Sequence, residues 1–159
     1  KEDFKFGTRS RRPPLKPITA ILSYLYSILS NDVSSSLDTV GLDAYAGFMH
    51  TDRPGRISLA LDLVEEFRAP IVDRFVLSLI NMNQIKKDDF LYEDNGAVLL
   101  KDDSKRKIIK LWQSRKQKTI THPFLNEKIE WGLVPFSQAM LFARYLRGDL
   151  DGYPPFMWK

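Results

Sequence analysis

Between residues 18 and 37 the apolar side chains Ile18, Ile21, Leu22, Leu25, Leu29, Val33 and Leu37 recur at three-and-four spacing, the signature of one face of a helix. Pro17 suits the first turn, where its missing N–H costs nothing, and Gly41 suits the C-terminal stop. One long helix is therefore predicted, with a stripe that needs a core to pack against. A chain of 159 residues can supply that core. Its length fits a single domain, or a large piece of a two-domain protein.

The remaining pattern is also mostly helical. LDAYAGFMHTDRPGR reads as a loop around His50, Pro54 and Gly55. Ser58 can cap a second helix that runs to about Asn81, with a kink or break near Arg68 because Pro70 interrupts it. Asn95-Gly96 between two short apolar runs predicts a β-hairpin. Residues 103–118 form a basic helix with a narrow stripe of Ile108, Leu111 and Trp112. THPFLNEKIEW reads either as irregular chain or as a second small hairpin. Pro135 starts a last helix, with Phe136, Ala139, Met140, Ala143 and Leu146 on one side and Gly148 at its end. The apolar tail YPPFMWK is too short to fold alone and should dock on a neighbour. The expected architecture is mainly α with one small β-hairpin: an extended basic arm or linker over 1–16, then a helical domain over 17–159.

Charge is unevenly placed. Lys1, Lys5, Arg9, Arg11, Arg12 and Lys16 against Glu2 and Asp3 account for the whole net charge of +4. Such an arm suits a polyanion such as nucleic acid, or is simply a solvated linker. The absence of cysteine excludes disulfides, a Cys-based zinc site and a thiol nucleophile. No uncharged apolar run approaches the ~20 residues a membrane span needs, and a cytoplasmic location is expected.

The stretch HTDRPGRISLALDLVEEFR carries the chemistry. At 100° per residue, Leu59, Ala60, Leu63, Val64 and Phe67 fill an apolar arc of roughly 140°, and Asp62, Glu65 and Glu66 fall on the other side. Asp62 and Glu65, three residues apart, are close enough to share one hard cation. The bland reading is a solvated acidic face. With His50 and the arginines flanking the turn, the set also fits a divalent-metal site, since mixed imidazole and carboxylate ligation suits manganese and tolerates magnesium. The matching chemistry is phosphoryl transfer on a polyanion.

FKFGTRSRRPPLKPITAILSYLYSILSNDV, GLDAYAGFMHTDRPGRISLALDLVEEFR, DFLYEDNGAVLL and THPFLNEKIEWGLVPFSQAMLFARYLRGDLDGYPPFMWK closely resemble the C-terminal helical domain of the CRISPR adaptation integrase, the Cas-one endonuclease family, and most nearly its subtype I-C members. The resemblance is collinear over nearly the whole chain. It implies a metal-dependent DNA endonuclease and integrase that inserts spacer DNA into CRISPR arrays, using Mn2+ or Mg2+, pairing with a Cas-two partner and forming a homodimer in the full-length protein. It places the metal histidine on His50, an acidic ligand on Glu65, a further acid of the site on Asp62, a basic position beside the metal on Arg68, and Arg53 and Arg56 in the adjoining loop. Arg12, Arg53, Arg56 and Arg68 are the expected nucleic-acid contacts. The family's other ligand, a glutamate on a preceding helix, has no match here, because Glu2 lies too far along. The resemblance thus implies a fragment with little activity alone. A helical DNA-binding or partner-docking module without catalysis is the alternative.

Other candidates read as structural. His122 favours a hydrogen-bonded role, Glu66 a place beside the ligand or in solvent, and Trp112, Trp131 and Trp158 core or docking roles. One of Tyr24 and Tyr26 resembles a tyrosine near the family's active site, with helix packing as the equal alternative.

Overall fold

The computed structural model describes residues 14–47, 49 and 55–158. Arg12, His50 and Arg53 lie outside the described residues, as does most of the basic arm. Helix α1 spans Pro17–Thr39 and buries Ile18, Ile21, Leu25, Leu29, Val33 and Leu37, as its spacing requires. It is the central element, packed against the helices Ser58–Phe67 (α2) and Val134–Leu146 (α5) and against the strand Val98–Leu100. Gly41 follows it at φ +78°, a conformation that glycine adopts without a Cβ clash.

The expected break at Pro70 is a widening rather than a stop. After α2 the chain makes a π-helical turn over Arg68–Asp73 and continues as α3, Arg74–Asn81. Pro70 has no N–H for the carbonyl four residues back, so the turn opens to the wider bonding. Ser58 does not cap α2: it is the first helical residue, and its buried hydroxyl has no hydrogen-bond partner among the described residues. The Ala44 carbonyl takes that role instead, accepting the Leu59 N–H at 3.0 Å and the Ala60 N–H at 3.3 Å. This ties the start of α2 to the segment after α1.

Strands β1 (Phe90–Tyr92) and β2 (Val98–Leu100) form the hairpin announced by Asn95-Gly96, with Phe90 opposite Leu100. Gly96 sits at φ +82°, and Asn95 Oδ1 accepts the Ala97 N–H at 2.8 Å. The Pro14 carbonyl accepts the Val98 N–H at 2.9 Å, which bonds position 14 to the first hairpin. Helix α4 (Asp102–Lys116) buries Ile108 and Trp112, with Trp112 edge-on to Phe75 of α3 at 5.1 Å. THPFLNEKIEW resolves as a second hairpin, β3 (Thr119–Thr121) with β4 (Lys128–Glu130). Among the described residues the fold is mainly helical, as expected, with two hairpins rather than one.

Helix α5 departs from its predicted stripe. Its buried side holds Val134, Pro135, Gln138, Ala139, Leu141, Phe142 and Ala143, while Met140 and Leu146 are exposed. Gln138 occupies the middle of the buried side, and a search for apolar spacing passes over it. The tail does dock: Phe156 is buried against Phe67 at 5.9 Å and Trp131 at 6.2 Å.

Candidate active site

The three carboxylates of α2 do not share one environment. Asp62 is buried at 5% exposure, Glu65 is exposed and Glu66 is half-buried. Asp62 and Glu66, one turn apart, lie on the same edge of the apolar arc, and each is met by chain from elsewhere. Asp62 Oδ2 accepts the Met49 backbone N–H at 2.8 Å, which ties α2 to the loop one residue before His50. A pocket of about 350 Å³ lies between Asp62 and Glu66, walled by Met49, Phe142, Tyr145 and Tyr153. A larger one, about 510 Å³, lies between α1 and the first hairpin; Tyr24 lines it, but none of the α2 carboxylates does.

Glu65 points outward into an ordered set of side chains. Its Oε1 accepts from Arg68 Nη1 at 2.5 Å. The Arg68 guanidinium lies 4.4 Å from the centre of the Tyr26 ring, a cation–π contact, and Tyr26 donates its hydroxyl to Asp73 Oδ1 at 2.5 Å. Burial, together with the Asp73 carboxylate, pushes the Tyr26 phenol up to about 12, so it remains a donor at neutral pH. Arg68 and Asp73 bound the π-helical turn, and both meet Tyr26. Tyr26, rather than Tyr24, is the tyrosine of this cluster.

Glu66 belongs to a buried polar network. Its Oε2 accepts from the Phe156 backbone N–H at 2.8 Å, the Tyr153 hydroxyl at 3.1 Å and Gln138 Nε2 at 3.2 Å. Gln138 Nε2 also lies 2.7 Å from the Tyr153 oxygen and 3.1 Å from the Pro154 carbonyl. Gln138 Oε1 meets His122 Nε2 at 3.0 Å, while His122 Nδ1 faces the Phe124 and Leu125 amides at 3.3 and 3.2 Å. Those two amides can only donate, so Nδ1 is the acceptor and Nε2 carries the proton. Burial lowers the His122 pKa and favours this neutral ring. Burial also raises the Glu66 pKa, against the three donors that favour its charge.

A hard cation takes accessible oxygen donors, and on α2 Glu65 is the carboxylate that offers them. Asp62 has Oδ2 engaged by the Met49 amide, and Glu66 faces the core. No group of three His, Cys, Asp or Glu side chains able to hold a metal occurs among the described residues. A cation at Glu65 therefore needs donors such as His50 from outside them. Arg56 is half-exposed just before α2, its carbonyl accepting the Ser58 N–H at 2.8 Å. On α4, Lys105 and Arg106 pair with Asp102 and Asp103 one turn earlier.

His122, Trp112 and Trp131 have the structural roles the sequence suggested. Gln138 and Tyr153 were missed as part of the site's support. A lone glutamine within an apolar helix, and a tyrosine in a tail that must dock, were the available signals. Among the described residues no helix is long and apolar enough to cross a membrane.

Comparison with known proteins agrees with the sequence resemblance. The family described as CRISPR associated protein Cas1 matches residues 1–114. A CRISPR-associated endonuclease Cas1 of Rhodospirillum rubrum is 55% identical over 99% of this chain and 46% of its own length. One from Leptospira interrogans is 52% identical over 100% of this chain and 62% of its own. The chain thus spans roughly half the length of these relatives. Among solved structures, a casposase bound to integration product superposes with a TM-score of 0.86 at 28% identity, over 100% of this chain and 48% of that one. A partial Cas6-RT-Cas1–Cas2 complex gives 0.78 at 26%, over 98% and 46%. None of these names carries a subtype, and the likeness to subtype I-C members finds no support in them. With more than half of its length matched by the family and that fold around Glu65, the chain belongs to the CRISPR associated protein Cas1 family.

Proposed function

We propose that the protein carrying this domain is a metal-dependent DNA endonuclease and integrase that inserts spacer DNA into CRISPR arrays. The observation that carries this reading is Glu65, an exposed carboxylate held against Arg68 on a helix whose two other acids are turned into the packed chain. In this reading His50 and Glu65 hold Mn2+ or Mg2+, with Asp62 as the accessory acid that fixes the backbone next to His50. The cation supplies Lewis-acid stabilisation of charge at the phosphoryl group. Arg68, stacked on Tyr26, is aimed at a phosphate, and Arg12, Arg53 and Arg56 add contacts along the backbone of double-stranded DNA. A 3′-hydroxyl of the spacer attacks a phosphodiester of the repeat directly, one P–O bond forming as another breaks, with no covalent enzyme intermediate.

The partners follow by likeness. A Cas2 partner is proposed from the neighbouring Cas1–Cas2 assembly, and DNA from the casposase structure. A homodimer of the full-length protein and the subtype I-C affinity rest on the sequence resemblance, and a cytoplasmic location is proposed from the composition. The test is strand transfer of a spacer duplex into repeat DNA by the complete protein with its Cas2 partner, with and without Mn2+. Glu65→Ala should abolish transfer while leaving salt-sensitive DNA binding within about threefold. DNA binding with no metal-dependent transfer in the unaltered protein would instead establish a non-catalytic module.

A further inference from the structure

Residues 153–156 run as a strap to α2, where they meet Glu66 by hydrogen bonds and Phe67 by ring packing. All three donors from the strap and α5 converge on one oxygen, Glu66 Oε2. The strap is itself anchored, because Phe156 is buried between Phe67, Trp131 and His122. The next residue back along the helix is Glu65. Adjacent helical residues are related by a fixed rotation of about 100° and a rise of about 1.5 Å, so a contact that fixes the azimuth of Glu66 also fixes the direction of Glu65. The helix has little stiffness of its own there, since α2 ends at Phe67 and passes directly into the π-helical turn.

Resting on the reading of Glu65 as a metal ligand, we infer that Glu66 is a positioning residue through which the strap 153–156 sets the direction in which Glu65 presents its carboxylate to a divalent cation. The arrangement calls for an acceptor oxygen at Oε2 rather than for a negative charge. Gln at position 66 retains such an oxygen, and Leu does not.

The test uses the complete protein with Glu66→Gln, Glu66→Leu and Tyr153→Phe. Two quantities are read: the Mn2+ concentration giving half-maximal strand transfer, and hydrogen exchange of the amides from Leu63 to Arg68. Glu66→Leu should raise the Mn2+ requirement about tenfold or more, the range in which lost support of a ligand acts. Its rate at saturating Mn2+ should fall less than about threefold, and the α2 amides should exchange faster. Glu66→Gln should stay within about threefold of the unaltered protein in both, and Tyr153→Phe should fall between the two. An unchanged Mn2+ requirement in Glu66→Leu overturns the proposal, as does a Glu66→Gln variant as impaired as Glu66→Leu, which would make the charge itself the active feature. If Glu66→Leu does not fold, Tyr153→Phe decides: wild-type metal requirement and exchange would refute the strap. Absence of Mn2+-dependent transfer in the unaltered protein refutes the metal reading separately, and exchange at Leu63–Arg68 still reports whether the strap holds α2.

Discussion

Glu65 and Glu66 are chemically identical neighbours on α2, and the fold sends them to opposite fates. Glu65 faces solvent and meets a cation, Arg68, that a surface pairing holds only weakly. Glu66 faces the tail and α5 and takes three donors on one oxygen. The first arrangement contributes little to stability and leaves the carboxylate accessible. The second commits a carboxylate to the architecture, where loss of a partner strands a buried polar group. In the proposed function, metal binding at this helix falls to the carboxylate that the fold does not consume.

The contrast is broken most sharply by exchanging the measured quantity. Glu65→Ala should reduce metal-dependent strand transfer more than about 100-fold, beyond the range seen when only a ligand's supporting contact is lost. The same substitution should change unfolding free energy by less than about 1 kcal/mol, because only an exposed pair is removed. A drop in urea midpoint comparable to the loss of activity would show that Glu65 is structural after all.

On the buried side the order reverses. Gln138→Leu removes the link between Glu66, Tyr153 and His122 and leaves polar groups of all three without it. The expected loss is about 3 kcal/mol in urea denaturation. A loss under about 1 kcal/mol would mean that water replaces the amide and that the network is not closed. Between these extremes lies Tyr26→Phe, which removes the hydroxyl bond to Asp73 but keeps the ring beneath Arg68. A loss of about 1 kcal/mol is expected, with DNA affinity retained if stacking is what orients the guanidinium.

The helices were legible because their burial follows local spacing. Ile18 to Leu37 could be read at three-and-four intervals, and Pro70 marked the place where the backbone widens. The fates of Asp62, Glu65 and Glu66 were not legible in the same way. All three lie off the apolar arc, and what separates them is chain that returns from Met49 onto Asp62 and from Tyr153–Phe156, some ninety positions later, onto Glu66. Sequence spacing carries no record of such returns. Gln138 was missed for the converse reason: a buried amide reads as a break in an apolar pattern, although it is the hub of the support. The second hairpin stood open because its strands are three residues each and carry little apolar alternation.

A pH-dependent effect concerns His122, at the far end of the network from Glu66. Its folded-state pKa is held below the ordinary value by burial, and its Nδ1 accepts backbone amides that a second ring proton would oppose. Below pH 6.5 the unfolded chain takes up a proton that the folded chain resists, so this residue's contribution is complete above that pH and is lost as pH falls towards the depressed pKa. Glu66 acts in the opposite sense: its raised pKa makes the folded chain bind its proton more readily than the unfolded chain does above pH 4.5. The two slopes partly cancel in the unaltered protein, and only a difference measurement separates them. His122→Gln keeps an amide donor for Gln138 and cannot titrate. Unfolding free energies from urea titrations at about pH 7.5 and 5.5 should therefore show the variant losing less on acidification, by up to about 1.4 kcal/mol for each unit within the window. Equal losses in the two proteins would mean that His122 takes up its proton without disturbing the network, and that the support behind Glu66 tolerates a cation in its core.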